Sequence, residues 1–292
     1  MELQTLQYFS VIAREGSFLG AAQKLGYAQS NLSTKIKQLE KELGTELFHR
    51  AKQGVTLTEK GTVLLSYADK LLNLATEAKA SVADEAMATP VLRIGAMESA
   101  AITFLPHILA NFHAAHPSIQ LIVDTCVSRT AIQKLLGFEV DGAFVAGSVT
   151  HPDIEAMTLF AEELVLLAPP AQAETKDVKE LLSLPILALP GGCSYRQVME
   201  SWLAEEGILP RSTMEFRSLG ALLSSISAGL GVSLFPASVM DFFAGGHALC
   251  RYEIPQKYGR IPIHFIWRKK NSRNLTLEKF RLLCGNVNFG KK

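Results

Sequence analysis

The 292-residue chain is poor in cysteine. Its four cysteines, at positions 126, 193, 250 and 284, stand far apart with no Cys-x-x-Cys pair. That spacing excludes a disulfide-stapled scaffold and a cysteine-ligated zinc module, and it suits reduced thiols in a reducing compartment. Long apolar runs are missing too: none approaches the roughly 20 residues that span a bilayer. The first residues, MELQTLQYFSVIAREG, lack the basic start and apolar middle of a secretion signal. An excess of one charge sign is also absent, with 29 Lys+Arg against 28 Asp+Glu and a net charge of +1. No global basic field advertises nucleic acid, so any DNA-binding surface must be local. A cytoplasmic protein without membrane contact is expected. The 48% of hydrophobic residues support a sizeable core, and the length predicts two or three domains.

The N-terminal sixty residues carry the first positive signal. LQTLQYFSVIARE places Leu3, Leu6, Phe9 and Ala13 at helical spacing. Gly16 ends that helix, Ser17 can cap the next, SFLGAAQKL, and Gly26 closes it. Ser30 can cap a third helix with a buried stripe of Leu32, Ile36, Leu39 and Leu43, stopped by Gly44. Ala21 and Ala22 allow two helices to approach closely across a tight turn, which makes a helix-turn-helix. The polar face of the third helix then carries Gln29, Ser30, Asn31, Ser33, Thr34, Lys35 and Gln38. Amides of Asn and Gln can bond adenine edges, whereas Ser, Thr and Lys can bond phosphates. On a lone helix such a face can equally be a solvated surface. The following ELFHRAKQGVTLTEKG reads as a hairpin-like wing turning at Gly54, with Arg50 and Lys52 placed for phosphate contact.

The stretch GSFLGAAQKLGYAQSNLSTKIKQLEKELGTELFHRAKQGVTLTEKG resembles the winged helix-turn-helix signature of the LysR-type transcriptional regulators almost continuously. The resemblance implies binding to imperfect palindromes upstream of a promoter, with positions 29 to 37, Lys37 included, reading the groove. It also leaves room for contact with RNA polymerase. Two residues depart from the family pattern: Asn31 stands where a proline is usual, and Thr34 where an arginine is usual.

A long helix follows the wing. Thr56 and Glu59 have capping-box spacing, with Thr58 as an alternative cap. Leu64, Ala68, Leu71, Ala75, Ala78 and Val82 repeat at four and three, a coiled-coil period. The seam is expected to pair two chains. The alternative is a helix packed on its own domain. The resemblance implies the linker helix that joins DNA-binding heads, in a homodimer or homotetramer.

After Pro90 strands and helices alternate, a parallel-sheet pattern. VLRIGAM, IQLIVDT and GAFVAG read as strands, with one helix striped by Ala101, Leu105, Ile108 and Phe112 and another at RTAIQKLLGF. EELVLLAP crosses into a second unit of the same scheme: PILALP, SYRQVMESWLAEEG, TMEFRS, LGALLSSISAG and GVSLFP. RIPIHFIWRK and the helix around Phe280 and Leu283 are expected to return to the first unit. Crossings near Gly147 and Arg260 would leave two lobes with separate cores around a hinged cleft.

Ligands in open α/β sheets sit at the carboxyl ends of strands. The cleft candidates are therefore Ser99, Ala100, Ser128, Arg129 and Ala146 in the first lobe, with Cys193, Ser194 and Arg196 in the second. Helix N-termini there suit a small anion, a carboxylate above all. For each serine, a plain helix cap is the competing reading. Glu98 would repel an anion unless it points away or meets an amine or hydroxyl of the ligand. The resemblance to LysR-type effector domains, which look like type II periplasmic binding proteins, covers this whole part through RIG, LP, HP and AGLGVSLFP.

The expected architecture is a winged helix-turn-helix domain over 1–58, a linker helix over 59–89 and a two-lobed α/β effector domain over 90–292. Lobe I takes about 90–162 and 262–292, and lobe II about 163–261. The predicted function is a regulator that binds double-stranded DNA under control of a small-molecule effector, with no cofactor, no metal and no catalysis. A hydrolase reading fails because GGCSYR lacks the Gly-x-Ser-x-Gly elbow. His113 and His116 share a helix face without further ligands. The rival regulator is a thiol sensor using Cys193, whose place at a helix start would lower its pKa.

Overall fold

The computed structural model describes residues 1–51, 54–82, 90–175, 177–243, 249–269 and 274–287. It divides into two compact units, Met1–Met87 with Gly137–Glu139, and Ala88–Leu136 with Val140–Lys292.

The first unit opens with α1 (Leu3–Glu15), α2 (Phe18–Leu25) and α3 (Gln29–Leu43). Each ends at a glycine in the left-handed region, Gly16, Gly26 and Gly44. Ser17 caps α2 by accepting from the Gly20 N–H. Ser30 does not cap α3: Ala28 occupies the cap position and Ser30 lies within the first turn. The core joins Leu6, Phe9, Ile12, Ala21, Leu32, Ile36 and Leu39, whereas Leu3 and Leu43 are exposed. Both stripes hold except at Leu3, which opens the first, and Leu43, which closes the second.

The wing pairs β1 (Phe48–Ala51) with β2 (Gly54–Leu57) in antiparallel register, Phe48 opposite Leu57 and Ala51 opposite Gly54. Lys52 lies outside the described residues. A β-carbon on Gly54 would stand 2.7 Å from the Gly16 carbonyl, which itself accepts from the Val55 N–H at 2.9 Å. Glycine is therefore what lets the wing close against the end of α1.

The long helix α4 runs Glu59–Val82. Its cap is Thr58, whose hydroxyl accepts from the Gly61 N–H at 2.9 Å and donates to the Glu46 carbonyl at 2.8 Å. The Thr56–Glu59 box is not used, because Thr56 belongs to β2 and pairs with His49. The expected seam also splits. Leu64 and Ala68 pack into the core of their own domain, and Asp69 accepts from Ser10 and Arg14 of α1, both at 2.9 Å. The large apolar side chains left exposed are Val63, Tyr67, Leu71 and Leu74. The side chain of Val82 lies outside the description.

The second unit begins with β3 (Val91–Ala96), α5 (Glu98–Ile102), α6 (Leu105–Ala115), β4 (Gln120–Thr125), α7 (Ser128–Leu136) and β5 (Gly142–Ala146). The single helix expected from Ala101 to Phe112 is two, separated at Thr103 and Phe104, with Pro106 in the first turn of α6 where its missing N–H costs nothing. β3 pairs in parallel with β4 and β5.

The strand β6 (Ile154–Ala168) then serves both lobes. Its first part, to Glu163, pairs with β11 (Arg260–Arg268); from Leu164 onward it pairs with β9 (Ser233–Pro236) and β10 (Cys250–Tyr252). Between these strands lie α8 (Val178–Leu182), β7 (Ile186–Ala188), α9 (Ser194–Glu206), β8 (Thr213–Glu215) and α10 (Leu219–Ser227), and α11 (Ala237–Phe243) precedes β10. The first crossing therefore falls at Glu163–Leu164, inside EELVLLAP and beside the expected 162/163 boundary, rather than at Gly147, which follows β5. The second falls at Gly259–Arg260, where the Gly259 carbonyl accepts from the Leu164 N–H at 2.9 Å.

β11 and α12 (Leu275–Asn286) return to the first lobe. Phe280 packs its ring 5.1 Å from Phe112 and 5.5 Å from Phe265. Each buried ring removes enough apolar surface to contribute about 1.5–3 kcal/mol. The lobes do not keep wholly separate cores: one apolar cluster continues from Leu92 and Phe144 through Met97, Tyr195 and Ile261 to Leu187's neighbours Ile186, Met199 and Trp202. No described helix is long and apolar enough to cross a membrane.

Candidate functional site

The first candidate surface is the face of α3. Gln29, Ser30, Asn31, Thr34 and Lys37 are exposed, and Ser33 and Lys35 half-buried. None of these seven belongs to the domain core. Thr34 donates its hydroxyl to the Ser30 carbonyl at 2.9 Å. Lys35 stands 3.7 Å from Glu2, an exposed and therefore weak pairing. In the wing, Arg50 lies over the Phe18 ring at 5.3 Å and 3.4 Å from Glu40, so its guanidinium is braced while still reaching solvent. Cations held loosely at the edge of a helix-turn-helix are suited to exchange such partners for phosphates.

The second candidate is a cavity of about 400 Å³ between the lobes of the effector unit. Met97, Glu98 and Ser99 reach it from β3–α5, Thr125 to Ser128 from the end of β4, and Ala146 from β5. The second lobe contributes Leu189, Pro190 and Cys193 to Tyr195, with Arg217 and Leu219 at the start of α10. Five of the predicted residues thus meet here: Ser99, Ser128, Ala146, Cys193 and Ser194. Three do not. Ala100 is buried on the far side of α5. Arg129 is exposed and lies along Gly192, with its N–H donating to the Gly192 carbonyl at 3.3 Å. Arg196 turns away from the cavity to Glu200 at 2.7 Å and Glu215 at 3.0 Å.

The serines are neither idle caps nor free anion donors. Ser99 Oγ lies 2.9 Å from the Tyr195 hydroxyl. Ser194 donates to the Ala146 carbonyl at 2.6 Å, and Ser128 accepts from the Ala146 N–H at 3.1 Å. Glu98 reaches across the cleft, and both its carboxylate oxygens, at 3.2 and 3.1 Å, accept from the Leu219 N–H. That bond places a negative charge at the start of α10, where the helix dipole favours it. The acid that fitted an anion site poorly is thus used to bridge the lobes.

Sequence reasoning missed Tyr195 and Arg217. Tyr195 is buried, and burial pushes its phenol far above the ordinary range, so it is a neutral hydrogen-bonding group. Arg217 is exposed at the cavity and makes no ion pair or hydrogen bond among the described residues. The only signal for it was a lone cation in TMEFRS just before a helix start. For Cys193 the expected direction is reversed. Burial pushes the thiol up, and the N–H groups of Arg196 and Tyr195 pull down less strongly. A raised thiol is a poorer nucleophile at neutral pH, so the helix start gives the thiol-sensor reading no support here.

Comparison with known proteins matches both parts of the chain to one family. Residues 3–62 match the bacterial regulatory helix-turn-helix protein family of LysR type, and residues 86–287 match the LysR substrate binding domain. The HTH-type transcriptional regulator CzcR of Bacillus anthracis is 37% identical over 280 residues, covering 96% of each chain. The HTH-type transcriptional regulator GltR of Bacillus subtilis (strain 168) is 38% identical over 269 residues, covering 92% of this chain and 91% of that one. The crystal structure of full-length CbnR complexed with target DNA superposes with a TM-score of 0.72 at 25% identity, covering 97% of this chain and 99% of that chain. With a helix-turn-helix at its start, an α/β effector-binding domain behind it and regulators as its relatives, this chain belongs to the LysR family of DNA-binding transcriptional regulators and is not an enzyme.

Proposed function

We propose that the exposed face of α3 from Gln29 to Lys37 enters the major groove of promoter DNA, with Arg50 and Lys52 on the flanking phosphates. The exposed apolar side chains of α4 pair two chains, so that a homodimer or a dimer of dimers spans two half-sites in the cytoplasm. RNA polymerase is then the neighbour such a complex meets at the promoter. A small molecule carrying a carboxylate binds in the inter-lobe cavity and sets how the half-sites are spanned. The observation that carries this reading is the cavity of about 400 Å³, mostly apolar, with the guanidinium of Arg217 on its wall and no partner for it among the described residues.

Two measurements on the full chain test it. Binding isotherms on promoter DNA should show Lys35→Ala weakening all sequences alike and lowering the salt slope by about one. Asn31→Ala should change base preference instead. If neither matters, α3 does not read the groove. In a thermal-shift screen of small organic acids, a ligand at 100 times its Kd should stabilise the fold by about 2.7 kcal/mol. Leu189→Trp, which fills the cavity, should abolish that shift; a shift that survives would place the effector elsewhere.

A further inference from the structure

The charges on the cavity wall narrow the chemistry of the effector further. Glu98 comes from the first lobe and Arg217 from the second. Neither has a counter-ion among the described residues. Glu98 accepts one shared N–H, from Leu219, on both oxygens, which leaves about half of a carboxylate's roughly four lone-pair sites open. Among the described residues nothing engages the donors of Arg217. The serines are already engaged with Tyr195 and with the Ala146 backbone. Much of the remaining wall is apolar: Met97, Val127, Leu189, Pro190 and Leu219.

A simple carboxylate would meet Arg217 while lying against an uncompensated Glu98, and a simple amine would face the opposite mismatch. Desolvating either side chain without its own counter-charge is costly. A molecule with both charges satisfies both. We propose that the cavity is an amino-acid site: the ammonium of a small zwitterion on Glu98, its carboxylate on Arg217, and an apolar side chain against Met97, Leu189 and Leu219. The site rests on the reading of this cavity as the effector site. Because the two charged residues belong to opposite lobes, the zwitterion would tie the lobes together where a single-charge ligand would hold only one of them. Glu98 would keep its bond to Leu219 in doing so, since the two uses need different lone pairs.

The test is calorimetric titration of the full chain with two matched series. One is L-phenylalanine, 3-phenylpropanoate and phenethylamine; the other is L-leucine, 4-methylpentanoate and isoamylamine. In at least one series the amino acid should bind about tenfold or more tighter than either single-charge analogue, the scale of one charge-assisted hydrogen bond. Arg217→Gln should remove its advantage over the amine. Glu98→Gln should remove its advantage over the carboxylate, while the amide oxygen still accepts from Leu219 and keeps the fold. Carboxylates that bind as tightly as the amino acids would overturn the zwitterion and leave the cavity as an ordinary anion site. No binding by either amino acid up to low millimolar concentration would overturn it as well. Amino-acid binding that survives Leu189→Trp and both charge variants would overturn it together with the cavity assignment.

Discussion

Tyr195 and Ser99 meet across the cleft with their hydroxyl oxygens 2.9 Å apart, and both are buried. The bond joins the first turn of α9 to α5, one from each lobe. Tyr195→Phe keeps the ring and removes the hydroxyl, which leaves the buried Ser99 side chain without that partner. The expected cost is about 1–3 kcal/mol. Both tryptophans, Trp202 and Trp267, lie in the effector unit, so their fluorescence during urea unfolding reports that unit alone. An unchanged midpoint would mean that the two hydroxyls are independently satisfied.

The Thr58 cap gives a second expectation. Its side chain bonds both the Gly61 N–H and the Glu46 carbonyl, tying the start of α4 to the segment before the wing. Thr58→Ala should destabilise the DNA-binding unit by about 1 kcal/mol, the usual worth of an N-cap. Thr56→Ala should change little, since Thr56 is an exposed strand residue. Far-UV circular dichroism melts of the two variants would rank them; the reverse order would restore the Thr56–Glu59 box.

These particulars show what was legible in the sequence. Local signals with one physical solution came through: Gly16, Gly26 and Gly44 end their helices, and the β-α alternation after Pro90 matches the parallel pairing of β3 with β4 and β5, whereas β6 and β11 pair antiparallel with their neighbours. Choices between near-equivalent partners did not. Thr56 and Thr58 are both chemically able to cap, and only the pairing of Thr56 with His49 decides between them. In the run Ser194-Tyr195-Arg196, about 100° of helical rotation per residue separates neighbours. Ser194 and Tyr195 turn to the cavity while Arg196 finds Glu200 and Glu215, an orientation set by the tertiary packing of α9. Arg217 reaches the cavity only because α10 is docked against Glu98 from the other lobe, a contact between residues far apart in the chain.

Glu162 is expected to make the stability of the effector unit depend on pH. Its carboxylate is buried on β6 and accepts from the Ser238 N–H at 3.2 Å and the Ser238 hydroxyl at 2.7 Å. Burial raises its pKa above the ordinary value of 4.5, and the Ser238 bonds oppose that rise without cancelling it. The folded state then holds this proton more tightly than the unfolded chain. Stability from this group is present below 4.5 and is lost as pH climbs from there through the raised folded value. Asp141, also raised by burial, adds a fall of the same sign. Comparing Glu162→Gln with the parent isolates the Glu162 part: the variant should lose less stability over that window, and Ser238→Ala should lose more. Urea midpoints read by tryptophan fluorescence across the window check both, and parallel curves would show that Glu162 stays ionised throughout.

The exposed side of α4 supplies the last expectation. The repeat from Leu64 to Val82 suggested one seam, yet Leu64 and Ala68 are taken by the core of their own domain. Val63, Tyr67, Leu71 and Leu74 remain outside, with side chains 55%, 58%, 37% and 43% exposed. Their spacings of four, four and three keep them on one stripe of the helix. Four large apolar side chains in a row cost too much to leave in water if a second chain can cover them, and a matching stripe on a second copy would do so. Tyr67→Glu and Leu74→Glu should therefore split the assembly in sedimentation velocity while leaving the melt of the helix-turn-helix unit nearly unchanged. Ala68→Glu should do the opposite, unfolding that unit because its position is fully buried. If Tyr67→Glu and Leu74→Glu both sediment like the parent, the stripe is not the contact that holds the chains together, and surfaces of the effector unit hold them instead.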